Sequence, residues 1–188
     1  MDPKALFDAI RRIKGSALTD ADVALVNSVI DAKPVPPVGA YVDPLLLAQL
    51  KIDEGLRLRA YRDTVGVWTI GYGRAYVPPG TVWTREQAEA ALVEDIISHN
   101  ATVHRALPWL RNLDPVRRRV IENMHFNMGW DNPKTPKFEG LSGFKNTLAR
   151  VQAGDFDGAA AGMAASLWAK QVGERADRLI RRMRTGVE

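Results

Sequence analysis

Only one stretch of this 188-residue chain changes its apolar period from that of a helix to that of a strand. Trp68, Ile70 and Tyr72 alternate with Val67, Thr69 and Gly71, a strand signature. Asp63, Thr64, Val65 and Gly66 lie between Tyr61 and Val67 and read as a turn, so Leu58–Gly73 predicts a small β-hairpin. A lone hairpin cannot build a core by itself. The chain must therefore bury most of its apolar surface between helices. Leu45 to Lys51 repeats at helical spacing and leads into Asp53, Glu54 and Gly55, where the glycine suits a helix end. Thr84, Arg85, Glu86 and Gln87 form a capping box that opens a helix running to about Leu107. If continuous it measures about 35 Å, and Pro108 ends it. Asp114 and Pro115 predict an N-cap followed by proline at the first helical position, in a helix carrying Val116, Val120, Ile121 and Met124. Further helices are expected around 143–153, 155–168 and 174–184. The class is α+β, a small hairpin region beside a larger helical one.

Residues 1–33 read as two short helices. Leu6, Phe7, Ile10 and Ile13 mark the first, with Gly15 as its stop; Thr19 caps the second, which carries Val23, Val26, Val29 and Ile30. Lys4, Arg11, Arg12, Lys14 and Lys33 balance Asp2, Asp8, Asp20, Asp22 and Asp31, so this segment is neutral, unlike a cationic membrane-active helix. Two helices of this length bury no core of their own and are expected to dock on the main domain or on a partner. Lys33–Gly39, with prolines at 34, 36 and 37, reads as a stiff linker. The boundary divides residues 1–40, an extension with its linker, from a domain of residues 41–188.

The net charge is +4, all of it outside the first 33 residues. A mild basic balance favours polyanionic partners by long-range attraction, but no nucleic-acid motif accompanies it, so no nucleic-acid partner is expected. The absence of cysteine excludes disulfides, a thiol nucleophile and cysteine-ligated zinc. His99, His104 and His125 lack a metal-ligand spacing, and no cofactor is expected. The N-terminus carries no apolar stretch of signal-peptide or membrane-spanning length. The expectation is a protein made in the cytoplasm without a stable membrane anchor, monomeric, needing another agent to reach anything beyond the inner membrane.

Glu54 ends a helix, Asp63 sits at the hairpin turn, and Thr69 lies on the returning strand. Hydrolysis of a glycosidic bond needs two carboxyl groups in different states, one to give a proton to the leaving oxygen and one to activate water or attack carbon. A helix end and an adjacent turn can hold such a pair across a cleft, and a threonine hydroxyl can both donate to and accept from a water. Singly, each residue has a plainer reading: a solvated helix-end glutamate, a turn-shaping aspartate, a strand threonine. Their combination is what points to chemistry.

The segment Ile52–Gly73 resembles the active-site segment of the phage-type lysozymes, glycoside hydrolase family 24. Glu54, nine residues to Asp63 and six more to Thr69 is the spacing of that family's catalytic triad. The similarity continues through Thr84–Glu89, Leu113–Arg118, Asn123–Gly129, Gly143–Leu148, Arg175–Ile180 and Arg184–Gly186, covering roughly residues 45 to 187. The resemblance implies a small β-containing lobe and a larger helical lobe joined by a long helix, with saccharide in the cleft between. It implies Glu54 as general acid, Asp63 as general base and Thr69 as the hydroxyl that orients water, acting with inversion on the β-1,4 bond between N-acetylmuramic acid and N-acetylglucosamine of bacterial peptidoglycan. Arg175 matches an arginine that reaches the catalytic glutamate, and Arg178 one that pairs with Asp53. Phe126, Asn127 and Thr147 match cleft positions of the helical lobe, with Asn127 shorter than the family's amide. Arg181 and Arg182 read as a solvated basic face, and Trp168 fits a buried core position.

Three departures stand out. Arg74 replaces a histidine common in the family. The stretch after Gly73 is short, which predicts a trimmed small lobe. An insertion spans Trp130–Gly140, better read as a surface loop than as a rim gripping substrate. The function implied is that of a phage endolysin acting in host-cell lysis, reaching the wall through a membrane lesion. A lytic transglycosylase has little use for a water-positioning pair such as Asp63 and Thr69, and a catalytically silent wall-binding or virion protein has no use for an intact triad.

Overall fold

The computed structural model of the protein describes Thr19, residues 42–131 and residues 140–188. The chain divides into two units, Met1–Ala40 and Tyr41–Glu188, and the fold below is that of the second. The helices and linker expected within residues 1–40 lie outside the described residues, as do residues 132–139 of the insertion.

Helix α1 (Pro44–Glu54) begins where the Asp43 side chain accepts from the amides of Leu45 and Leu46, and ends at Gly55 with φ 66°. A positive φ of this kind suits glycine, which has no Cβ to strain. An antiparallel sheet follows in the order β1 (Arg57–Arg62), β2 (Trp68–Gly71), β3 (Arg74–Ala75). The expected hairpin is β1–β2, with Tyr61 opposite Thr69 and Arg62 opposite Trp68. Strand β3 adds to that expectation: the chain turns at Tyr72 and Gly73 and pairs Ala75 with Thr69 and Arg74 with Ile70. The expected alternation also gives way, because Thr69, Ile70 and Gly71 are all buried. Gly71 has φ 68°, and a Cβ there would sit 3.0 Å from the Trp83 ring.

The capping box at Thr84 forms both of its hydrogen bonds and opens α2 (Arg85–Ala106), whose 22 residues span about 33 Å. This helix serves two cores. Its first half puts Ala88, Leu92 and Ile96 against Leu46, Leu50 and Tyr72. Its last turns put Val103 into a larger cluster with Leu110, Ile121, Met124, Leu141, Met163 and Met183. Arg74 clamps β3 to α2 by donating to both oxygens of Asp95 (3.1 and 2.7 Å) and to Glu94 (3.0 Å). The contact is made by a permanently charged fork.

Pro108 ends α2 as expected, and a short 3-10 segment, Pro108–Asn112, leads to α3 (Pro115–Met128), capped by Asp114. The helical lobe is completed by α4 (Lys145–Gln152), α5 (Phe156–Ala164), α6 (Leu167–Val172) and α7 (Glu174–Thr185). The single helix expected over 155–168 is two, because the Ser166 side chain accepts from the Ala169 amide and caps a new start. Arg182 corrects a further expectation. It is no solvated residue of a basic face, as exposed Arg181 is. It donates to Gln49 Oε1 (3.2 Å) and pairs with Glu188 (2.9 Å), tying α7 to α1.

Candidate active site

Glu54 is the last residue of α1, and its carboxyl is held from two directions. Arg175 Nη1 donates to Oε1 at 2.8 Å. The other oxygen lies beside the β2–β3 turn, 3.9 Å from where a Cβ on Gly73 would stand. The side chain keeps 21% of its surface exposed, so the group is sheltered yet reachable. Arg175, by contrast, is buried. It comes from the first turn of α7, 121 residues along the chain from its partner.

Asp63 occupies the turn between β1 and β2. Its Oδ1 accepts from the amides of Val65 (3.0 Å) and Val67 (2.8 Å), which is the turn-shaping role expected of an aspartate there. Its Oδ2 has no hydrogen-bond partner among the described residues. The Val67 carbonyl accepts from the Asp63 amide (2.9 Å) and also from the Thr69 hydroxyl (3.2 Å). One peptide group thus orients both residues. Thr69 is buried, and with its proton committed to Val67 its oxygen is left as an acceptor.

Behind Glu54 lies a polar network that sequence reasoning reached only in part. The Asp53 side chain is buried and pairs with Arg178, as the resemblance implied, and it also accepts from Gln49 (3.0 Å). At its centre stands Asn123 of α3, which no local signal singled out. Its Oδ1 accepts from Arg175 Nε (2.9 Å), and its Nδ2 donates to Asp53 Oδ2 (3.0 Å). Only its place among buried carboxylates and guanidiniums distinguishes it from other helical asparagines, and that place is tertiary.

The three expected cleft residues of the helical lobe differ in setting. Phe126 packs on the small-lobe cluster and lies 4.8 Å, ring to ring, from His99. Asn127 is exposed, and its Oδ1 accepts from the indole nitrogen of Trp168 at 2.9 Å. An indole N–H can only donate, so the amide oxygen must face it and the Asn127 amine points elsewhere. Thr147 is buried, its hydroxyl 2.6 Å from where a Cβ on Gly162 would be. Trp168 is a core residue, as expected, set edge-on to Phe144.

His99 and His125 join α2 to α3 through their Nδ1 atoms, 3.3 Å apart. One ring must donate and the other accept, so the accepting ring is neutral, and burial lowers both rings from 6.5, which favours the neutral form of the donor as well. His125 Nε2 is buried without a partner among the described residues. A bare lone pair is tolerated there better than an orphaned N–H, so His125 is the donor at Nδ1. Burial, with the neighbouring His99, pushes His125 down from 6.5 to about 4. In the unfolded chain it titrates at its ordinary value, so below that value the unfolded state binds the extra proton and gains. Stability from this site is complete above about pH 6.5 and is lost as the pH falls toward 4. The loss amounts to about 3 kcal/mol. Thermal melts of wild type and His125→Leu between pH 7 and 4 check this: the wild-type Tm should fall steeply and the variant's much less.

A small three-stranded sheet and a larger helical lobe on one long helix, with two carboxyl groups carried by the helix end and the hairpin, define a lysozyme-type glycoside hydrolase. The phage lysozyme family model matches residues 51–185. The chain is 35% identical over 118 residues to an endolysin of Acyrthosiphon pisum secondary endosymbiont phage 1, covering 61% of this chain and 72% of that one. It is 28% identical over 167 residues to the probable T4-type lysozyme 1 of Dictyostelium discoideum, covering 73% and 92%. It is 29% identical over 168 residues to the pre-baseplate central spike protein of Enterobacteria phage T4, covering 73% of this chain but only 27% of that protein. The chain belongs to the phage lysozyme family: it is a peptidoglycan-lysing glycoside hydrolase of the endolysin kind. Among the described residues no helix is long and apolar enough to cross a membrane, and no group of three or more metal-binding side chains comes together.

Proposed function

We propose that this enzyme cuts the β-1,4 bond between N-acetylmuramic acid and N-acetylglucosamine in a single displacement by water. Glu54 gives its proton to the leaving glycosidic oxygen. Asp63 Oδ2 takes a proton from the attacking water, and the water's other hydrogen points to Thr69 Oγ1. With both hydrogens so directed, the water's lone pair faces the anomeric carbon. The observation that carries this reading is the division of labour at Asp63, one oxygen committed to the turn and the other unpartnered among the described residues. On the helical lobe, the Asn127 amine donates to a substrate carbonyl and Phe126 supplies an apolar wall. Thr147, its hydroxyl packed against Gly162, completes that side of the cleft.

The catalytic domain in this reading is residues 41–188, acting as a monomer. Residues 1–40, which carry none of the three catalytic residues, dock on that domain or on a partner and take no part in the chemistry. Access to the wall follows a lesion in the inner membrane. Digestion of purified peptidoglycan tests the reaction. Muramic acid with a free reducing end is the expected product, whereas 1,6-anhydro ends would identify a transglycosylase. A chain beginning at Tyr41 is expected to keep turnover on soluble oligosaccharides, and a folded truncation without turnover would assign residues 1–40 to the site.

A further inference from the structure

Two arginines face two adjacent carboxylates in this protein, and something must decide which meets which. Arg178 pairs with Asp53, and Arg175 Nη1 donates to Glu54 at 2.8 Å. Yet Arg175 Nε also lies only 3.5 Å from Asp53 Oδ2. Asp53 is the more deeply buried of the two acids, with 2% of its side chain exposed against 21% for Glu54. A buried carboxylate gains more from a cation than a part-exposed one does. Left to electrostatics, Arg175 would be drawn toward Asp53.

Asn123 stands between them, 1% exposed. Its Oδ1 takes the Arg175 Nε proton (2.9 Å), its carbonyl accepts weakly from Nη2 (3.4 Å), and its Nδ2 satisfies Asp53 Oδ2 (3.0 Å). A neutral amide offers an acceptor to a guanidinium on one side and a donor to a carboxylate on the other. An aspartate would repel Asp53, and an apolar residue would leave both groups unsatisfied. Held through Nε and Nη2, the guanidinium has one nitrogen left, and that nitrogen is the one on Glu54.

We propose that Asn123 is a positioning residue for the reaction. By occupying Asp53 and Arg175 together it keeps the Arg175 guanidinium on Glu54, and so sets the orientation of the proton donor. This inference rests on Glu54 being the acid. Without Asn123, Asp53 Oδ2 lacks its donor and pulls Arg175 inward. Glu54 then loses its tether.

The experiment measures kcat and KM on a soluble peptidoglycan hexasaccharide for wild type, Asn123→Leu and Asn123→Ser, with Tm for each. Asn123→Leu is expected to lower kcat by about ten- to a hundredfold with KM little changed. The serine hydroxyl can both donate and accept, so Asn123→Ser is expected to give a smaller change in the same direction, and it carries the test if the leucine variant does not fold. A purely structural asparagine would lower Tm and leave kcat of the folded variants in place. A kcat within about twofold of wild type in both folded variants would overturn the proposal. A Glu54→Gln protein that still turned over would instead remove the reading on which it rests.

Discussion

Glu54→Gln is expected to lower kcat by about a thousandfold or more, the upper range for removal of a general acid, while the protein stays folded. The amide keeps the shape of the side chain, and its oxygen can still accept from Arg175 Nη1, as Glu54 Oε1 does. Arg175 also retains Asn123 as a partner and Asp53 close by, so it is not stranded as an unpaired buried charge. The stability cost should therefore stay within about 1–2 kcal/mol. What the amide lacks is a proton that it can release to a leaving oxygen. Turnover on soluble oligosaccharide together with a thermal melt checks both halves. Loss of most of the stability would instead make Glu54 a structural residue.

Asp63→Asn should be nearly as damaging, lowering kcat by about 10²- to 10⁴-fold. Here the two oxygens separate structure from chemistry. The asparagine oxygen can keep the bonds from the Val65 and Val67 amides that Oδ1 now accepts. Its amine takes the place of Oδ2, where it cannot accept a proton from water. Asp63→Ala is expected to lose activity equally and, in addition, about 1 kcal/mol of stability from the missing turn bonds. The pair of variants is informative together. An Asp63→Asn enzyme within tenfold of wild type would mean that Asp63 serves the turn alone.

What the sequence disclosed was whatever local chemistry decides. The Thr84 box and the Asp114–Pro115 start are self-contained within four residues, and both appear as expected. The hairpin was legible from its turn and its alternating run. Strand β3 was not, because two residues become a strand only by pairing with β2. The break at Ser166 was hidden because the alanine-rich run before it continues the helical pattern, and one serine cap interrupts it. The spacing of Glu54, Asp63 and Thr69 was visible as a motif within sixteen residues. Arg175 and Arg178 could be reached only through the resemblance to a family, since α7 shows one arginine much like the next. Arg182 and Asn123 show the limit of that reading. Arg182 reaches Gln49 across 133 residues, and Asn123 reaches Asp53 and Arg175 across 70 and 52, so the roles of both are set by tertiary structure.

The central claim is that water, positioned by Asp63 and Thr69, is the nucleophile. Direct attack by Asp63 would pass through a covalent intermediate and retain configuration, whereas attack by water on the opposite face inverts it. The committed Oδ1, the Oδ2 unpartnered among the described residues and the acceptor oxygen of Thr69 suit the second route. Proton NMR of a β-linked oligosaccharide, recorded in the first minutes of cleavage before mutarotation mixes the anomers, reads the outcome. The α-anomeric reducing end should appear first. A β anomer appearing first would contradict water activation by Asp63 and the role assigned to Thr69.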